Sequence, residues 1–105
     1  MIKGCVTFKY SEKNILKLGE IISNLLFGKE DMFKGLETYL RDEIPFIYTE
    51  NFAGCYLGIM QNPEILDMFS LEVIDISNGE SNTIDLTDRL ILYLKKSSEL
   101  EIVLS

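Results

Sequence analysis

The chain has 105 residues, 47% of them hydrophobic and 26% charged, and its formal net charge at pH 7 is −7. This length suffices for one domain with a modest core, and the composition is that of a folded protein rather than a disordered segment. There is no histidine, which removes the commonest general acid/base and metal ligand at neutral pH. We therefore expect a single domain, residues 1–105, without histidine chemistry.

The chain is predicted to begin with a strand and a helix. Residues 2–9 are rich in β-formers, and we expect this strand to be covered on much of both faces. In the helix, Ser11 is the predicted N-cap and Gly28 fits the C′ position. Apolar residues recur between them at helical spacing: Ile15, Leu18, Ile22, Leu25 and Leu26.

A second helix is predicted over residues 31–42, with Asp31 as its cap. Gly35 weakens it and Pro45 stops it. Its apolar residues follow an i, i+3/i+4, i+7 stripe: Met32, Phe33, Leu36, Tyr39 and Leu40.

Three successive strands, residues 46–49, 52–60 and 69–77, then predict an antiparallel meander. The connection at 62–68 is open between one helical turn capped by Asn62 and a hairpin loop.

The C-terminal part is predicted to be a helix followed by a strand. Residues 86–96 could also extend the sheet, but Asp85 or Thr87 can cap a helix and Lys95 and Lys96 suit its C-terminal end. Residues 99–105 alternate as in a strand. The predicted order is β-α-α-β-β-β-α-β, an α+β fold with a mainly antiparallel sheet packed with two or three helices.

The stretch GCYLGIM, residues 54–60, could be read as a reactive loop or as a buried strand. A reactive cysteine needs a nearby cation, a histidine or a helix N-terminus, and the nearest basic residue in sequence is Arg41. A strand is favoured, with its small residues allowing a backbone or an aromatic ring to approach closely. The residues expected to be buried in the sheet are Cys5, Cys55, Tyr56, Leu57, Val73 and Ile76.

No cofactor or metal site is expected. Two cysteines without histidine cannot supply a zinc site, residues 75–85 lack the closing glutamate of a calcium loop, and residues 28–31 lack the pattern of a phosphate loop. No nucleophile and base occur at a recognisable spacing, so we expect no enzyme. No apolar run is long enough to span a membrane and residues 1–13 do not resemble a signal peptide, so we expect a cytoplasmic location.

Charge is distributed unevenly along the chain. Residues 1–49 carry seven basic and seven acidic residues, whereas residues 50–105 carry three basic and ten acidic ones. This favours a basic protein partner and disfavours direct binding of nucleic acid, which needs basic side chains at phosphates. The predicted partner-binding acids are, in or beside loops, Glu64, Asp67, Glu80, Asp85 and Asp88, and, in a strand, Glu72 and Asp75.

A small, acidic, histidine-free α+β chain with its excess charge in one half resembles the immunity proteins of bacterial contact-dependent inhibition and related polymorphic-toxin systems. The resemblance rests on size, element order and charge, without a diagnostic motif, so it assigns no residue by position. It implies a non-catalytic protein that binds a cognate toxin domain, often a basic nuclease, and occludes its active site or an adjacent surface.

Two alternatives are left open. One is a homo-oligomeric or adaptor module that associates through an edge strand such as residues 99–105. The other is an enzyme or small-ligand protein that uses carboxylates and one of the tyrosines Tyr39, Tyr48, Tyr56 or Tyr93.

Overall fold

The computed structural model describes residues 1–38, 44–51, 54–76 and 82–103. Their elements are, in chain order, β1 (Ile2–Tyr10), α1 (Ile15–Phe27), β2 (Phe33–Thr38), β3 (Pro45–Thr49), β4 (Cys55–Gln61), β5 (Met68–Asp75), β6 (Ile84–Asp85), α2 (Thr87–Leu94) and β7 (Leu100–Val103). The predicted α+β class with a mainly antiparallel sheet is confirmed.

The seven described strands form one sheet. Strands β2 to β5 are successive antiparallel neighbours, which confirms the meander, and β1 pairs with the far side of β5. The other edge of β1 is shared, with the short β6 parallel to its start and β7 antiparallel to its end. Strand β6 was not among the predicted elements.

Both helices lie on the same face of the sheet. In α2, Leu90 packs against Gly4 of β1, and in α1, Gly19 packs against Ile47 of β3. The opposite side of the sheet, called the open face below, carries no helix in the part of the chain that the structure describes. The expectation that β1 is covered on both faces is therefore wrong, because its residues alternate between the core and solvent.

Strand β2 occupies the region predicted as a second helix. The predicted helix, residues 31–42, is wrong over Phe33–Thr38, and residues 39–42 lie outside the described part. Phe33 pairs with Thr49 of β3 and faces α1 beside Gly19. Phe33 of the predicted stripe thus belongs to an edge strand of the described sheet, which has a register irregularity between Lys34 and Glu37. Pairing with β3 outweighs a helical preference already weakened by Gly35.

The N-cap of α1 is Asn14, not the predicted Ser11. The Asn14 side-chain oxygen accepts hydrogen bonds from the backbone N–H groups of Leu16 (3.1 Å) and Lys17 (3.2 Å). The predicted end of the helix is confirmed, since Gly28 adopts the left-handed conformation with φ 70°.

The C-terminal helix and strand are confirmed as α2 and β7. The Asp85 carboxylate accepts a hydrogen bond from the backbone N–H of Thr87 at 2.9 Å, just before α2 begins. The 62–68 connection is a hairpin loop between β4 and β5, in which the Asn62 side chain accepts from the N–H groups of Glu64 and Ile65.

Three of the six residues expected to be buried lie in the core. Cys55, Leu57 and Val73 are buried as expected, and Tyr56 is half-buried. Two predictions are wrong, because Cys5 is exposed on the open face and Ile76, just past the end of β5, is 52% exposed.

Candidate protein-binding surface

A row of residues crosses the open face perpendicular to the strands. The register pairs Lys34 of β2 with Tyr48 of β3, Tyr48 with Gly58 of β4, Gly58 with Glu72 of β5, and Glu72 with Cys5 of β1. Because directly opposite residues project to the same side of a sheet, this row samples the open face from β2 to β1.

Three aromatic side chains, called the aromatic cluster below, lie on the β3–β4 part of this face. The rings of Phe46 and Tyr48 stack with centroids 5.6 Å apart, and Tyr48 meets Tyr56 edge to face at 6.4 Å. All three are half-buried. Beside them is a concavity of about 470 Å³, whose described lining also includes Thr49, Glu50 and Asn51.

Gly58 allows this packing. A Cβ at position 58 would lie 2.7 Å from Phe46 Cε2 and 3.4 Å from Ile74 Cδ1. The ring of Phe46 therefore reaches from β3 across β4, which confirms the close aromatic approach expected of a glycine in this strand.

The lysines on the open face have acidic neighbours. Lys34 Nζ lies 3.4 Å from Glu50 Oε1, and Lys3 Nζ lies 4.0 Å from Asp85 Oδ2. Lys9 of β1 is directly opposite Glu101 of β7. These exposed pairs contribute little to stability, but they leave the three lysines locally balanced.

Glu72 lacks such a neighbour. It is exposed on the open face, and no lysine or arginine of the described residues forms a salt bridge with it. Its cross-strand neighbour is Cys5, whose pKa is raised by burial and, to a smaller degree, by the Glu72 charge.

The predicted partner-binding acids do not lie on one surface. Glu64 and Asp67 lie in the β4–β5 hairpin at one end of the sheet, whereas Asp85 and Asp88 flank the start of α2 at the other. The length of β5 separates the two groups by roughly 23 Å.

The other three predicted acids lie elsewhere. Glu72 is on the open face between the two groups. Asp75 is half-buried and accepts a hydrogen bond from the backbone N–H of Ile2. Glu80 lies outside the described residues.

The cysteines show no sign of activation. Burial raises the pKa of both Cys5 and Cys55, with smaller contributions from Glu72 and Asp75 respectively. A nucleophilic thiol needs the opposite shift. Within the described ranges, no group of three or more acidic or cysteine side chains is placed to hold a metal ion, and no helix is long and apolar enough to cross a membrane.

The aromatic cluster was not predicted as a surface. Tyr48 and Tyr56 were expected only as candidate ligand-binding residues or, for Tyr56, as part of the buried sheet, and Phe46 was expected only as part of a strand. The available signal was the alternation in β3 and β4, which places these aromatics opposite in direction to the buried Ile47, Cys55 and Leu57.

The fold and this surface together define a two-layer α+β domain with aromatic side chains on the face of the sheet that no helix of the described residues covers. No family model, no curated protein and no solved structure matches the chain.

Proposed function

We propose that this protein is a non-catalytic binding protein that neutralises a cognate bacterial toxin domain in the cytoplasm, with the open face as its contact surface. The observation that carries the proposal is the aromatic cluster beside a concavity on the open face, where none of the described residues forms a helix. Aromatic side chains are enriched at the centres of protein interfaces because they bury a large area with few rotatable bonds.

The charge of the chain supports a basic partner. A net charge of −7 attracts a basic domain at long range and raises its association rate. Inhibition then requires only that the bound protein occlude the active site or an adjacent surface of the toxin, so it needs no catalytic group.

A second candidate function is self-association or adaptor binding through β7. This strand lies at the edge of the described sheet, where its outer backbone groups can pair with another strand. Size-exclusion chromatography with light scattering separates the two functions. A dimer that disappears when Ile102 is replaced by proline, in a chain that remains folded, supports this alternative.

The proposed function is tested with the toxin domain encoded beside this chain's gene, by surface plasmon resonance and inhibition of toxin activity. We expect Tyr48→Ala and Tyr56→Ala each to weaken binding by more than tenfold, since buried interface tyrosines are typical hot spots. Tyr93→Ala is the matched control, because Tyr93 is 41% exposed on α2, on the other side of the sheet. Equal effects of the three variants would contradict the assigned surface.

Cys5 provides an independent footprint of the bound partner. It is exposed in the same cross-strand row as Tyr48. We expect saturating toxin domain to slow maleimide labelling of Cys5 by at least tenfold. Unchanged labelling in a complex that forms would place the partner elsewhere.

Charge reversal tests which end of the sheet lies closer to the partner. Rim charges act mainly on the association rate, so reversing the nearer pair of acids to lysine should slow association and flatten its salt dependence. The two pairs to compare are Glu64 with Asp67 and Asp85 with Asp88. If neither pair changes either rate, steering by these four acids is excluded for this complex.

A further inference from the structure

We infer that the partner places an arginine side chain directly over Glu72. The inference rests on the proposed function and adds the chemistry at the centre of the contact surface. It is carried by the position of Glu72, an exposed carboxylate on the open face beside the contact between Phe46 and Gly58, with no salt-bridge partner among the residues that the structure describes.

The neighbours of Glu72 leave its carboxylate accessible. Directly opposite it are Cys5 on one side and Gly58 on the other, both small residues. The ring of Phe46 lies over Gly58, and Ile74 Cδ1 is also close to this position. Apolar atoms therefore border Glu72 on the β4 side. No described lysine or arginine lies within salt-bridge distance of it.

A partner that covers the aromatic cluster also covers Glu72. Tyr48, Gly58 and Glu72 are consecutive in one cross-strand row, so Tyr48 and Glu72 are about two strand spacings, roughly 10 Å, apart. A standard interface buries about 800 Å² of each partner and reaches well beyond that distance.

Covering Glu72 with an apolar surface would be strongly unfavourable, because a carboxylate removed from water requires a compensating charge or hydrogen bonds. Two other acids on this face differ, since Glu50 and Glu101 each lie beside a lysine of this chain and can be covered as balanced pairs. A guanidinium suits the position over Glu72, because it can bind the carboxylate with two hydrogen bonds while its plane rests against an aromatic ring.

The test compares Glu72→Gln with Glu101→Gln, using the same toxin domain. Both substitutions remove one charge from the open face, but Glu101 is opposite Lys9. We expect Glu72→Gln to weaken binding by roughly 30-fold or more, mainly through faster dissociation, as for a desolvated charge pair. Glu101→Gln should change affinity by less than about threefold. Urea unfolding should be nearly the same for both variants and the parent.

A double-mutant cycle identifies the arginine. Each surface arginine of the toxin domain is replaced by alanine and tested against the parent chain and Glu72→Gln. One arginine is expected to lose at least tenfold in affinity with the parent and almost none with Glu72→Gln, the pattern of directly interacting residues. Additive effects for every arginine would overturn the inference.

The outcomes separate the inference from the proposed function. If Tyr48→Ala weakens binding and Glu72→Gln does not, the inference is wrong and the assigned surface stands. If neither substitution has an effect, the open face is not the contact surface and both are wrong. If the chain does not bind the toxin domain, the proposed function fails and the inference with it.

Discussion

The ring of Phe46 lies over Gly58, with its Cε2 atom only 2.7 Å and its Cζ atom 2.9 Å from where a Cβ at position 58 would be. This contact links β3 to β4 through the Phe46 side chain, in addition to the hydrogen bonds of the backbone ladder. It also holds Phe46 beside Tyr48 and thereby shapes the surface proposed to bind the partner.

Replacing Gly58 with alanine should therefore displace the Phe46 ring. We expect the free energy of unfolding to fall by about 1–2 kcal/mol, the usual cost of adding a methyl group to a filled site, as measured by urea denaturation. In a Phe46→Ala background the same substitution should cost less than about 0.5 kcal/mol, because most of the conflict is removed. An equal cost in both backgrounds would show that Phe46 does not determine it.

Removing the side chains of two polar residues before α1, Asn14 and Ser11, should affect stability differently. Asn14→Ala should lower the free energy of unfolding by about 1 kcal/mol, because its side chain satisfies two backbone N–H groups of the first turn. Ser11→Ala, at an exposed turn position, should change it by less than about 0.5 kcal/mol. Thermal denaturation of the two variants measures the difference, and a larger loss for Ser11→Ala would restore the sequence-based cap.

The Ser23 hydroxyl forms hydrogen bonds with the segment between α1 and β2. Its fully buried hydroxyl donates to the carbonyl of Lys29 and accepts from the backbone N–H of Met32 at 3.0 Å. Ser23→Ala leaves both backbone groups without this partner and should cost about 1–3 kcal/mol in urea denaturation. A loss below 0.5 kcal/mol would mean that water replaces the hydroxyl at both groups.

The two cysteines should react with thiol reagents at very different rates. Cys5 is exposed and Cys55 is 5% exposed, so one thiol should label in native buffer and the second only on unfolding. Burial and the Glu72 charge raise the pKa of Cys5, so its labelling at pH 7 should be slower than that of a free thiol and faster in Glu72→Gln. Cys5→Ser assigns the two phases. Rapid native labelling of that variant would contradict the buried position of Cys55.

Stability should fall in acid partly through Glu12. The buried Tyr10 hydroxyl donates a hydrogen bond to its carboxylate and Lys17 pairs with it at 3.1 Å, which lowers the pKa of Glu12. Its folded-state pKa is therefore below the unfolded value of about 4.3. The resulting stabilisation is present above that pH and is lost as pH falls through the folded-state pKa. Glu12→Gln should reduce the slope of the urea midpoint against pH below the unfolded-state pKa of about 4.3. An unchanged slope would assign the acid sensitivity to other carboxylates.

The periodicity of the sequence was sufficient for elements whose pattern is local. Helix α1, strands β3 to β5, and the end of the chain as α2 and β7 follow from apolar spacing, glycine positions and turn residues. The same spacing predicted a helix over residues 31–42, but Phe33–Thr38 form β2. The outcome there depends on pairing with β3, which the apolar spacing within residues 31–42 does not encode.

The sequence by itself determined the α+β class, the burial of Cys55, Leu57 and Val73 and the excess of acidic charge. Only the tertiary structure decided that Cys5 faces solvent and that Phe46, Tyr48 and Tyr56 meet on the open face. It also decided that Glu64 and Asp67 lie at the opposite end of the sheet from Asp85 and Asp88. The physical reason is that a strand's alternation specifies two faces but not which one the helices cover. That choice, like the strand register, is made by contacts between residues far apart in the chain.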